Sequence, residues 1–179
     1  MQISLSDIAK TDNLIGSEQG RDVHHALYNL ICATPLDRIV AIVPGSVQRM
    51  DATFAREAIV TLVKRLQGSR LVYLKDFWNR DFLDNCGYAA RALDAHLMHV
   101  SGGELDVLGA TFSKSWGSLL ASVFSLGVTT TSVVAGSLGI SVQNASVQMK
   151  KMADGGLMIR REEDAFSGGR EWHYQTAPR

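Results

Sequence analysis

Residues 138–161 read LGISVQNASVQMKKMADGGLMIRR, and the order of small, apolar and basic residues in this run decides the back half of the chain. Gly139 permits the positive φ of a tight turn, Ile140 offers a plug for a core, and Ser141 is a good cap for the helix that follows. That helix is predicted over Val142 to Asp154, with Gly155-Gly156 as its stop. Ala145, Met149 and Met152 are spaced four and three apart and so form one buried seam. Upstream, Trp116, Leu119, Leu120, Val123, Phe124 and Leu126 make a helical stripe ended by Gly127. Thr129 to Thr131 offer caps for a short helix in which Val133, Val134 and Leu138 are expected to face inward. Downstream, residues 157–161 and 170–174 are strand-like and flank the polar loop 162–169 with its Gly168-Gly169 pair.

A helix, a turn-linked helix pair and a β-hairpin in this order resemble the winged helix-turn-helix transcription regulators. The resemblance is carried by L-G-I-S-x(4)-S-x(2)-M-K-K-M-x(3)-G-L-x-x-R-R and covers roughly residues 111–177. It implies an α+β DNA-binding domain at 110–179, whose recognition helix enters the major groove of double-stranded DNA. Setting the seam aside leaves Val142, Gln143, Asn144, Ser146, Val147 and Gln148 for the outer face. Amide side chains pair with adenine, valine touches a thymine methyl, and Ser146 suits a phosphate as well as a base. Lys150, Lys151, Arg160 and Arg161 are placed for backbone phosphates, and Arg170 for a phosphate or the minor groove. Two features run against this pattern. No charge occurs from Ser115 to Met149, and Glu162, Glu163 and Asp164 stand where they can pair with Arg160 or Arg161.

The front half alternates strand and helix periods. Ile3 and Leu5 predict a short edge strand, and a helical stripe follows through Val23, Ala26, Leu27, Leu30 and Ile31. Residues 38–43 and 70–74 are compact apolar runs suited to strands buried on both faces. Asp51 is the expected N-cap of a helix through Phe54, Ala58, Ile59, Leu62, Val63 and Leu66, and a further helix is predicted over about 79–94. Residues 97–100 and 105–108 flank Ser101-Gly102-Gly103-Glu104 as a hairpin. The pattern predicts an α/β domain over 1–109 with a mixed or partly parallel sheet. The apolar strand, the Pro44-Gly45 loop and residues 47–54 resemble the STAS-like domains, the fold of the anti-sigma-factor antagonists. In that resemblance Asp51 matches the family's aspartate, Thr53 the hydroxyl phosphorylated in the antagonists, and Phe54 an aromatic variant. Thr53 is thereby a candidate switch, with capping by Asp51 and Thr53 as the simpler role.

Composition narrows the rest. Eighteen basic residues balance eighteen acidic ones, so bulk charge does not hold this chain on nucleic acid or membrane. The balance is uneven, with seven basic and five acidic groups in 110–179. Within 116–140, small and polar residues and the break at 127–131 exclude an apolar span of about 20 residues. Asp7, Lys10 and Asp12 interrupt any signal peptide, and a cytoplasmic location is expected. Cys32 and Cys86 are expected as buried thiols. His24-His25 and His96-x-x-His99 have no partner spacing for a metal, and Asp76, Asp81 and Asp84 fit capping and a solvated face. Neither an enzyme nor a cofactor is expected. The leading expectation is a homodimeric regulator bound to double-stranded DNA, with residues 1–109 open to a regulatory protein partner. The alternative is a STAS-like signalling adaptor whose winged helix is an interaction module.

Overall fold

The computed structural model describes residues 1–36, 38–111, 113–164 and 168–179. The front half runs β1 (Gln2–Ser4), α1 (Leu5–Ala9), β2 (Asn13–Leu14), α2 (Ser17–Cys32), β3 (Ile39–Val43), β4 (Arg49–Met50) and α3 (Ala52–Phe54). A π-helical segment (Ala55–Val60) then joins α4 (Thr61–Leu66), followed by β5 (Leu71–Lys75), α5 (Arg80–Ala92), β6 (His96–Ser101) and β7 (Glu104–Gly109). The back half runs α6 (Lys114–Leu126), β8 (Thr129–Thr130), α7 (Thr131–Leu138), α8 (Val142–Asp154), β9 (Ile159–Asp164) and β10 (Arg170–Gln175).

The front strands form a five-stranded sheet in the order β1-β3-β5-β6-β7. The first four are parallel, and β7 returns antiparallel to β6 through the turn between Ser101 and Glu104. Side chains alternate across a strand, and here the alternation divides two cores. Val40, Ile42, Val72, Leu74 and Leu97 face the front helices. Ala41, Leu71, Tyr73, Met98 and Val100 face the other way, into one cluster with Leu119, Val123, Met149, Met152 and Tyr174 of the back half. The back half therefore covers the second face of the front sheet. Polar ties cross the same boundary: the Arg38 guanidinium donates to the Arg160 carbonyl (3.1 Å), and the Gln67 amide to the Gly155 carbonyl (3.1 Å). At Gly156, φ is 81°, and an added Cβ would lie 2.9 Å from Gln67 Cγ, so glycine lets the two halves approach.

Several local expectations change on contact with the fold. Leu5 opens α1 instead of extending the edge strand, because Ser4 Oγ caps it by accepting from Asp7 N (3.4 Å). Ala26 and Leu30 are exposed on α2, while His24 takes a buried seat beside Val23, Leu27 and Ile31. Gly20 of α2 lies against Phe54 and Glu57, and that close approach turns the buried arc toward His24. Leu126 and Val133 also face solvent. Cys32 is exposed, whereas Cys86 is fully buried and its thiol is pushed up to about 12 by burial. Because the thiolate is the reactive form, a disulfide reagent should label Cys32 alone in the native protein and both cysteines in denaturant. Rapid labelling of two thiols under native conditions would contradict the buried position of Cys86.

Candidate nucleic-acid interface

The turn between α7 and α8 is set by three residues. Gly139 ends α7 at φ 65°, the left-handed conformation that favours glycine. Ile140 N donates to the Ala135 carbonyl (3.1 Å), and its side chain packs half-buried on the rear core. Ser141 Oγ then accepts from Asn144 N (3.2 Å), capping α8. On α8 itself, Ala145, Met149, Met152 and Ala153 are buried. At about 100° per residue, these four define one arc, and Gln143, Val147, Lys150 and Lys151 fall on the opposite side.

Val142, Gln143, Asn144, Ser146 and Val147 are all exposed, and the two valines expose about half of their surface (53% and 50%). Gln148 behaves differently from the expectation. It is half-buried, and its Nε2 donates to Asn144 Oδ1 (2.8 Å), so it orients Asn144 from the side instead of standing on the outer arc. This bond engages one lone pair of Oδ1 and leaves the other, with the Asn144 amide N–H groups, for a ligand.

The hairpin gives a mixed electrostatic picture. β10 lies between β8 and β9 in a three-stranded antiparallel sheet. Each hairpin arginine has an acidic neighbour: Arg170 with Glu162 (2.9 Å), Arg161 with Glu163 (3.9 Å) and Arg160 with Asp154 (3.8 Å). Arg160 also stacks over Trp172, 4.5 Å from the ring centre. Lys150 and Lys151 are exposed and enter no ion pair among the described residues. Part of the polar loop, residues 165–167, lies outside the described residues. Exposed ion pairs are worth only about 0.2–1 kcal/mol, so a phosphate can draw Arg170 away from Glu162 at small cost. The two lysines are therefore open to a polyanion on the same helix as the exposed amides.

The switch candidate sits elsewhere. Asp51 Oδ1 accepts from Phe54 N (2.6 Å) and Oδ2 from Gly16 N (3.0 Å), so its carboxylate caps one helical run and ties the start of α2. Thr53 is half-buried beside it. A phosphate on Thr53 would meet the negative charge of Asp51, which opposes the attraction of the helix start. His24 and His99 are buried, and burial is the main cause holding both below the ordinary histidine value. The Arg65 guanidinium adds to that effect at His24, while Asp106 and Asp76 oppose it at His99. Asp84 pairs with Arg80 (3.2 Å), and Asn79 Oδ1 caps α5 by accepting from Asp81 N (2.9 Å). Among the described residues no cluster of three or more His, Cys, Asp or Glu is arranged for a metal, and no helix is long and apolar enough to cross a membrane. Comparison with models of known protein families, with curated proteins and with solved structures finds no match.

Proposed function

We propose that the chain is a sequence-specific, double-stranded-DNA-binding transcription regulator. In this reading residues 110–179 are a winged helix-turn-helix domain, and residues 1–109 are a STAS-like domain for dimerisation or signal input. The observation that carries it is the outer arc of α8. Exposed Gln143, Asn144 and Val147 offer base-edge chemistry there, and Lys150 and Lys151, exposed and in no ion pair among the described residues, follow one to two turns later, while the opposite arc is locked in the core. The uncharged first turn of α8 leaves the positive helix end available to a phosphate. Valine and amide side chains favour A·T-containing sites. A second copy bound to an adjacent half-site would supply the affinity that one small module lacks.

The test is fluorescence anisotropy against duplexes selected from genomic fragments, at two salt concentrations. Binding should weaken steeply with salt. Gln143→Ala and Asn144→Ala should each reduce discrimination against a substituted base pair about tenfold while leaving non-specific binding intact. No binding to any fragment at low salt would overturn the reading. That result would favour the second one, a STAS-like signalling adaptor, which the ion-paired arginines of the hairpin suit better than they suit a polyanion.

A further inference from the structure

The start of β3 meets the base of the β9–β10 hairpin at a recess of about 280 Å³. Ile159 and Gln175 are register partners there, and Arg161 stands two residues beyond Ile159 on β9, so the three side chains share one face of the hairpin. Arg38, Ile39 and Leu36 wall the recess from the front half, and Leu36 leaves 95% of its surface exposed. β9 is an edge strand of its sheet, and Arg38 Nη1 covers that edge by donating to the Arg160 carbonyl (3.1 Å). The bond engages one of the five N–H donors of a guanidinium. Arg70 stands beside Arg38, because Ile39 and Leu71 are partners in the parallel β3–β5 pair and Leu71 N donates to the Arg38 carbonyl (2.8 Å). Its terminal nitrogens donate to the carbonyls of Ser69 (3.1 Å) and Pro35 (3.4 Å), while its Nε is buried without a partner among the described residues. Burial, and then the Arg70 and Arg161 guanidiniums, hold Arg38 below the ordinary arginine value. Among the described residues only Glu163 is ion-paired with any of the three, 3.9 Å from Arg161. Like charges gathered in this way repel one another until an anion joins them.

We propose that this recess binds a small phosphate monoester, its phosphoryl group between Arg38 and Arg161 and its apolar body against Leu36, Ile39 and Ile159. Guanidinium forks match the geometry of phosphate oxygens. The three terminal oxygens of a monoester can serve two forks at once, where a carboxylate has only two oxygens to share. The Gln175 amide adds a neutral donor to the same wall. The volume is near the lower end of the roughly 300–1,000 Å³ usual for ligand sites, which suits a small molecule and not a length of duplex. Arg38 belongs to the front half and Arg161 to the back half, so the ligand joins the two. No residue of α8 takes part, and the site is independent of the DNA reading.

The experiment is a thermal-shift and calorimetric titration of the whole chain with phenyl phosphate and, as the matched carboxylate, benzoate, at about pH 8, where the ester is a dianion. Phenyl phosphate should bind and raise Tm, since it adds only to the folded state, and benzoate should bind at least about tenfold more weakly. Arg161→Gln should weaken phenyl phosphate about tenfold, the loss of one charge-assisted contact. Glu163→Gln should tighten it about two- to fivefold, because the carboxylate no longer competes for Arg161. Both side chains are exposed, and circular dichroism establishes that the variants are folded. A short duplex added to the complex should leave the ester bound. Failure of phenyl phosphate to bind the native chain, tighter binding of benzoate, undiminished binding to folded R161Q, or weaker binding to folded E163Q would each overturn the proposal. Displacement of the ester by the duplex would assign the recess to a DNA phosphate and overturn it as well.

Discussion

Replacing Lys150 and Lys151 together by alanine should weaken binding to every duplex roughly sixtyfold at 0.1 M salt, with little change in the order of preferred sequences. The magnitude follows from counterion release: each phosphate contact contributes a slope of about −0.9 in log K against log salt, or about eightfold at that concentration. Both side chains are exposed on the last turns of α8, and neither is held by a carboxylate among the described residues. They can therefore meet a phosphate without first breaking a pair. The salt slope itself should fall by about two, a readout that loss of a structural lysine would not produce. Arg170→Ala should act in the same direction but more weakly, because Arg170 exchanges its bond to Glu162 for the phosphate. An unchanged slope in the double variant would remove α8 from the proposed interface.

The second large effect concerns stability. Leu71→Ala should cost about 2–5 kcal/mol, the usual range for a fully buried leucine. Leu71 lies on the front strand β5, but its side chain belongs to the cluster that contains Leu119, Met149 and Tyr174. The loss should therefore be felt throughout the chain. In a background that retains Trp172 as the sole tryptophan, urea unfolding followed by its fluorescence should coincide with unfolding followed by far-UV circular dichroism. Both curves should move to lower urea in Leu71→Ala. Trp172 stands in the hairpin strand β10, so separation of the two curves would mean that the hairpin and the sheet unfold independently.

Much of the candidate interface was legible before any fold was known, because its determinants are local. Gly139 and Ser141 act within a few residues of themselves, and the spacing of Ala145, Met149 and Met152 states which side of α8 is buried. Asp51 is legible for the same reason, since its cap bond reaches only three residues ahead. Other features left no periodic trace. The five-residue helix α1 and the two-residue strands β2, β4 and β8 are too short to show a period, and the π-helical segment shares its apolar spacing with an ordinary helix. Val133 reads as core from its neighbours, yet it is exposed, because α7 buries Val134 and Ala135 and packs Leu138 half-buried on the rear core.

The sequence by itself determined the order of the longer strands and helices, the caps at Asp51 and Ser141, and the buried seam of α8, since these depend on residues within one or two turns of each other. Only the tertiary structure decided that the back half covers the second face of the front sheet, that Arg160, Arg161 and Arg170 stand beside carboxylates, and that Arg38 and Arg161 line one recess between β3 and the hairpin. Periodicity states that a side chain is buried without naming what buries it. Partners separated by many tens of residues are chosen by the fit and charge of whole surfaces once the chain has closed on itself.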